Sequence, residues 1–411
     1  VDPEIALAET ESYWREWSGR CTYKGPWREA VVRSLITLKA LTYRPTGGIV
    51  AAPTTSLPEL LGGTRNWDYR YCWLRDATLT LLALMDAGYY DEAGAWRDWL
   101  LRAAAGSPSQ LQIMYAIGGE RRLLEWEVPH LSGYEGSRPV RVGNAAHAQR
   151  QLDVFGEVID ALHHARQGGI AESQDGWQLE SALVRYLEQV WTEPDEGIWE
   201  VRGGPQQFTH SKVMAWVAVD RVVKSAEQFG LRGPLDAWRA LRTRIHDDVC
   251  RNGYDASLGS FVQAYGSRQL DASLLLLPTV GFLPPDDPRI RGTVAAIEQR
   301  LVVDGIVMRY DSARTEDGLP PGEGAFLACS FWLADNYVLQ GRHEDACRLF
   351  ERLLTLRNDV GLLAEEWDPR TKRLTGNFPQ AFPHVALVLT AMNLARAEEA
   401  ERKPAEQRAG R

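Results

Sequence analysis

Among the glutamates that stand beside tryptophans in this chain, Glu200 directly after Trp199 and the pair Glu365–Glu366 directly before Trp367 are the residues best suited to do chemistry. Hydrolysis of a glycosidic bond needs a protonated carboxylic acid beside the leaving oxygen and a second carboxylate that either activates water or attacks directly. An apolar setting next to an indole raises a carboxyl pKa, which is the condition for a general acid near neutral pH. Adjacent carboxylates perturb each other's titration, and spacing leaves open which of Glu365 and Glu366 faces a cavity. A glutamate in a loop is in most proteins a solvated surface charge, so a Trp–Glu dipeptide decides nothing by itself. Arg75–Asp76 has an equally plain reading as a charged helix start that suits the helix dipole.

The surroundings of these residues carry more information. The segments RNWDYRYCWLRDA, LSGYEGSRPVRVGN, EPDEGIWEVRGGPQQFTHSK, GIVMRYDSARTEDGLPPGEG and GLLAEEWDPRTKRLTGNFPQAF concentrate Trp, Tyr, Arg, Asp and Glu where loops usually collect Ser, Gly and Asn. That mixture suits a polyhydroxylated ring, whose C–H faces lie on aromatic surfaces while its hydroxyls meet charged groups. Other chemistries lack their signatures. His147, His163, His164 and His210 do not have the spacing of a metal-ligand set, and there is neither a Gly-rich phosphate loop nor a G-x-S-x-G elbow.

Elements that would position these loops follow from hydrophobic periodicity, which is helical nearly throughout. Pro26 starts a first helix reaching about Leu41, with Trp27, Val31, Leu35 and Leu38 on one stripe. Eleven more are predicted near 71–88, 90–104, 145–167, 174–192, 210–229, 232–250, 269–277, 288–302, 324–340, 343–356 and 379–398. Long and short connections alternate between them. If short connections join antiparallel neighbours, every long loop emerges at the same end, and that end is the expected binding face. Six antiparallel pairs closing into a ring make an all-α (α/α)₆ barrel. Pro383, following Phe382, is expected to delay the start of the last inner helix. Residues 1–24 hold an amphipathic stretch around Tyr13–Trp17 expected to pack on the barrel, 25–398 form the barrel itself, and 399–411 read as a polar, frayed tail.

Composition excludes several partners. Acidic residues outnumber basic ones 55 to 46, for a formal charge of -9, so nucleic acid is not expected to bind. The most apolar stretch, Ala272 to Leu283, contains Pro278 and falls well short of the roughly 20 residues that span a bilayer, so no membrane partner is expected. Five scattered cysteines without CxxC pairs read as reduced thiols in a cytoplasmic protein, and no secretory signal is visible at the first residues.

At these loops the sequence resembles the glucoamylase and trehalase family of inverting glycoside hydrolases, above all its actinobacterial trehalase branch. The resemblance runs from about Cys21 to Ala395 and rests on the blocks APTTSLPE, GGTRNWDYRYCWLRDA, GYEGSRPVRVGNAA, GIWEVRG, FTHSKVMAW, GEGAFLACSFW and GNFPQAF. It implies the same (α/α)₆ barrel. It also implies that Glu200 is the general acid and Glu365 the general base, with Glu366 as the base's neighbour. Tyr69 would then lie beside the developing oxocarbenium charge, and Arg75 and Asp76 would hold hydroxyls of the nonreducing glucose. Trp73, Trp199 and Arg309 would form walls and donors of that first sugar site, joined by Tyr310, Arg138 and Phe382, with His210 and Lys212 as neighbours. The implied substrate is a small carbohydrate, α,α-trehalose first and a maltodextrin, isomaltose or dextran end second, and the chemistry requires no cofactor. A noncatalytic sugar-binding ring, a phosphorylase or an epimerase on the same barrel are the remaining alternatives. Full-length trehalases of that branch carry a β-rich domain before the barrel, which these 411 residues do not include.

Overall fold

A computed structural model describes residues 2–170, 174–315 and 317–409. Thirteen α-helices follow one another along the described residues: α1 (Pro3–Gly19), α2 (Arg28–Ala40), α3 (Leu74–Asp86), α4 (Tyr90–Ala103), α5 (Asp153–Gln167), α6 (Gln174–Val190), α7 (Thr209–Phe229), α8 (Leu235–Asn252), α9 (Leu276–Thr279), α10 (Pro288–Arg300), α11 (Leu327–Leu339), α12 (His343–Leu354) and α13 (Ala381–Ala409). The inner ring is α3, α5, α7, α9 with its preceding 3₁₀ turn Ala272–Leu275, α11 and α13, each packed against the next and α13 closing on α3. Around it lie α4, α6, α8, α10, α12 and α2, each against its own inner partner, which completes an (α/α)₆ barrel. Burial follows this layering. α11 is buried from Leu327 through Tyr337, whereas α12 turns only Ala346, Phe350 and Leu353 inward.

Every passage from an outer helix to the next inner one is a long loop, and every return is a short turn. All six inner helices therefore begin at the same end, where their unsatisfied N–H groups and the positive ends of their dipoles converge. Short antiparallel strand pairs stiffen these loops. Cys72–Trp73 pairs with Met114–Tyr115, and Ala325–Phe326, Glu366–Asp368 and Arg373–Thr375 form a three-stranded sheet in which Phe326 faces Glu366 and Glu366 faces Thr375.

Several boundaries differ from those read from periodicity, each for a visible reason. α5 begins at Asp153 and not near 145, because residues 145–152 serve the neighbouring loop: Asn144 caps a 3₁₀ turn at Ala146, and the Gln149 side chain donates to the carbonyls of Glu200 and Val201. α11 starts at Leu327, since Ala325 and Phe326 are taken into the sheet. Pro383 does not delay α13. It sits in the first turn, where its missing N–H would have had no partner anyway. The polar stretch after 398 continues that helix to Ala409, while residues 410–411 lie outside the described residues. At the other end α1 is capped by Asp2, whose carboxylate accepts from the Glu4 amide. Its Trp17 is buried in a stack on Tyr89, 4.2 Å between ring centres, and donates to Glu92.

Candidate active site

A pocket enclosing about 450 Å³ opens where the inner helices begin, and Tyr69, Trp73, Arg75, Asp76, Trp199, Glu200, Arg309, Glu365 and Phe382 all line it. Ala51, Ile198, Phe326 and Gln380 complete the wall. A second hollow of similar size, about 440 Å³, adjoins it and shares Tyr69, Trp199, Glu200 and Arg309. Its remaining lining includes Glu59, Arg65, Trp67, Asn144, Arg202, Tyr310 and Asp317. Glu200 thus stands at the junction between an inner and an outer hollow.

Glu200 is presented by the loop between α6 and α7. Its φ of 58° lies in the left-handed region that side chains rarely adopt, and surrounding contacts hold it there. Asp195 pairs with Gln206 across the loop and accepts from the Leu152 amide, while the buried Lys212 ammonium donates to the carbonyls of Trp191 and Glu193. Trp73 Nε1 donates to Glu200 Oε1 at 2.6 Å, and Arg75 Nη2 lies 3.7 Å from the same oxygen. Arg75 is itself fixed by donating to the Ile198 carbonyl at 2.7 Å, by Asp76 at 3.5 Å and by the Phe382 ring beneath it. Burial, opposed by Arg75 and the Trp73 donor, leaves the Glu200 carboxyl above its ordinary range. Burial likewise raises Asp76 despite the neighbouring Arg75.

Glu365 arrives from the opposite side, one residue before the strand Glu366–Asp368. Tyr69 Oη donates to its Oε1 at 2.7 Å, and its backbone is pinned by Leu327 N to its carbonyl and by its own N–H to the Asn377 carbonyl. Behind it only glycine fits: a Cβ on Gly376, whose φ is +76°, would stand 2.6 Å from Glu365 Oε2. Burial and the nearby Glu59 carboxylate push Glu365 up to about 8, against the lowering effect of the Tyr69 hydroxyl and Arg309.

Successive residues of an extended chain point to opposite faces, so Glu365 lines the pocket and Glu366 points away from it. Glu366 accepts from the Gly324 amide and joins Glu59 and Glu323 in a buried cluster whose carboxylate oxygens lie within 4.8 Å of one another. Two guanidinium groups already serve that cluster. Arg309 forks onto Glu323 at 2.8 and 2.5 Å, and Arg65 lies 3.1 Å from Glu323 and 2.7 Å from Asp317. Burial raises Glu366 well above its usual range, and a metal ion in this cluster would meet two fixed cations.

Among the other residues picked from sequence, Tyr310 belongs to the outer hollow and donates to Asp317. Arg138 is exposed, donates to the Ser132 carbonyl, and lines neither hollow. His210 lies buried beneath the pocket floor, and Lys212 supports the Glu200 loop. Sequence reasoning overlooked Glu59, Arg65, Asp317, Glu323 and Gln380. Glu59, Arg65, Glu323 and Gln380 stand in the blocks APTTSLPE, GGTRNWDYRYCWLRDA, GEGAFLACSFW and GNFPQAF, which was the available signal.

The fold is a ring of helical hairpins with a pocket at its loop end that two carboxylates from distant loops line together. Residues 25–392 match the family model described as glycosyl hydrolases family 15, and the chain belongs to that family. It is 46% identical over 95% of its length to a trehalase of Mycobacterium tuberculosis and 47% identical over 95% to one of Mycolicibacterium smegmatis. It covers 58% and 59% of those two proteins, so it spans about three fifths of the relatives it matches. A trehalase of Thermoplasma acidophilum is 40% identical over 95% of the chain and 66% of that protein. The barrel superposes on a bacterial glucoamylase complexed with acarbose with a TM-score of 0.67 at 17% identity, over 89% of this chain and 55% of that one. Among the described residues no helix is long and apolar enough to cross a membrane.

Proposed function

We propose that this barrel is the catalytic unit of an inverting, exo-acting α-glucoside hydrolase, and that its substrate is α,α-trehalose. The observation that carries the reading is the placement of Glu200 and Glu365, brought from distant loops onto one pocket, with Glu200 at its junction with a second hollow. Likeness to trehalases at 46% and 47% identity favours trehalose over longer glucans.

In this reading the terminal glucose fills the inner hollow and the leaving glucose occupies the outer one. Glu200 gives its proton to the glycosidic oxygen as the bond to the anomeric carbon breaks. Glu365 takes a proton from a water molecule whose oxygen forms the new bond on the opposite face. Tyr69, held by Glu365, places its oxygen next to the positive charge that develops on the ring. Arg75, Asp76 and Arg309 are charged groups with fixed directions, suited to the hydroxyls of one sugar. An inner hollow of about one-sugar size favours release of single glucose units from a chain end. Trehalose, whose two rings match two hollows of nearly equal size, suits this arrangement. The pair Arg309–Glu323 joins the two hollows, so the leaving sugar and the reacting sugar share one rigid wall.

The test is glucose release from trehalose, maltose and isomaltose by the same preparation. Trehalose is expected to be turned over with the highest kcat/KM. Preference for maltose or isomaltose would overturn the substrate, and formation of glucose 1-phosphate in phosphate buffer would overturn hydrolysis itself.

A further inference from the structure

Behind the pocket floor the barrel axis holds a second, larger space of about 1270 Å³ including its mouth, running toward the short-turn end. Only Arg75, Ile198 and Phe382 belong to both its wall and that of the catalytic pocket. Much of the wall is apolar, with Leu82, Met214, Trp332 and Leu389 among its members. Its polar groups are unusual for the centre of a helical barrel. One stripe of α5 carries Asp153, Glu157, Asp160 and His164 at intervals of four, three and four residues, which places them on one helix face.

The cations along this lumen are each already matched. Arg221 meets Asp160 at 2.5 Å and Asp220 at 2.7 Å, His164 meets Asp160 at 3.4 Å, and Arg396 meets Asp86 at 2.8 Å near the mouth. Arg75 is engaged with Asp76 and Glu200. What remains is acidic. The Glu157 carboxylate has no hydrogen-bond or ion-pair partner among the described residues, and Asp335 receives only neutral donors, Asn393 at 2.9 Å and Thr390. His210, 3% exposed and on the same wall, has neither ring nitrogen paired.

Burial holds Glu157 well above the ordinary carboxyl range and Asp335 at about 7, so each is a buried acid without a cation that a bound ammonium group would draw into its ionised form, and both adjoin apolar surface. We infer that the lumen is a binding site for a small organic cation, a protonated amine on an apolar body, with Glu157 and Asp335 receiving the ammonium group and the Leu82–Trp332–Leu389 wall receiving the carbon chain. The site is separate from the sugar pocket and touches it through Arg75, the residue that also contacts Glu200. An amine bound there lies one side chain away from the group that holds the catalytic pocket's floor.

The test is calorimetric titration of the whole chain with hexylammonium chloride, with 1-hexanol as the uncharged comparison. Hexylammonium is expected to bind at least tenfold more tightly than hexanol. Glu157→Gln is expected to weaken the amine at least tenfold and to leave hexanol unchanged. Leu389→Trp, which fills the lumen from a residue that does not line the sugar pocket, is expected to abolish binding of both while circular dichroism shows the native helix content. If Glu157→Gln does not fold, Asp335→Asn takes its place with the same expectation. Equal affinity for amine and alcohol, binding that survives Leu389→Trp, or no binding of hexylammonium to the wild-type chain would each overturn the inference.

Discussion

The inner and outer hollows share four residues but are built differently. Side chains of the inner hollow are anchored by buried partners: Trp73 and Arg75 at the start of α3, Tyr69 on Glu365, and Glu365 on a sheet edge that admits only glycine behind it. The outer hollow is assembled from three loops, tied on its deep side by the buried Arg65–Asp317 pair and at its rim by ion pairs nearer solvent. Arg202 pairs with Glu125 at 2.8 Å and lies over Trp67, and its amide reaches the Asp317 carbonyl of another loop. The difference teaches where rigidity is concentrated. Groups that meet developing charge gain most from fixed geometry, because no reorganisation is then needed at the moment of reaction, while a leaving-group site can tolerate adjustment. Substitutions in the inner hollow should therefore lower kcat, and those in the outer hollow should mainly raise KM.

The largest effect is expected at the two carboxylates. Glu200→Gln and Glu365→Gln should each lower kcat on trehalose by ~10³-fold or more with KM changed little, as measured by glucose release. Near-normal turnover in either variant removes that residue from its proposed role. Next comes the ionic wall between the hollows. Arg65→Met leaves Asp317 and Glu323 short of a cation in the interior, 3% of the Arg65 side chain being exposed, and should cost about 3–5 kcal/mol of stability, read as a lowered thermal midpoint. An unchanged midpoint would mean that the wall is held by packing alone.

A third prediction concerns pH. Turnover needs Glu200 protonated and Glu365 ionised, and in such a pair the higher pKa sets the falling limb of kcat/KM; because burial and Glu59 hold Glu365 at about 8, that limb should stand well above the ordinary carboxyl range. Glu59→Gln keeps an acceptor for Trp67 Nε1 but removes the negative charge that raises Glu365. Its falling limb should therefore move to lower pH, whereas a limb that stays in place would show that Glu59 exerts no field on the base. The smallest effect is expected at the rim: Arg202→Ala should raise KM for trehalose a few-fold with kcat largely kept, and a large loss of kcat would merge the two hollows into one functional unit.

How much of this was legible beforehand depends on the kind of signal. The barrel was readable because helical periodicity and the alternation of loop lengths are both local properties, and together they place every long loop at one end. Glu200 was readable once its Trp–Glu setting and the motif around it were considered together. The choice of Glu365 over Glu366 rested on the family resemblance alone, since spacing does not show the register of a short strand paired with Phe326 and Thr375. Glu59, Arg65 and Glu323 escaped notice although they stand in the blocks that carry the resemblance, because those blocks do not show which of their charges meet. Their importance arises only when three loops converge and leave charges buried together. The shortened start of α5 was illegible for a related reason: helical propensity over 145–152 yields to hydrogen bonds that Gln149 makes with the Glu200 loop.

Stereochemistry offers the most direct test of the two-carboxylate reading. Proton NMR of trehalose during the first minutes of digestion, before mutarotation, resolves the anomers of the glucose released. Water activated by Glu365 and entering opposite the leaving oxygen yields β-glucose from the attacked ring, while the departing ring keeps its α configuration, so α- and β-glucose should appear in equal amounts. Initial release of α-glucose alone would require attack with retention and would contradict the assignment of Glu365 as a base acting through water.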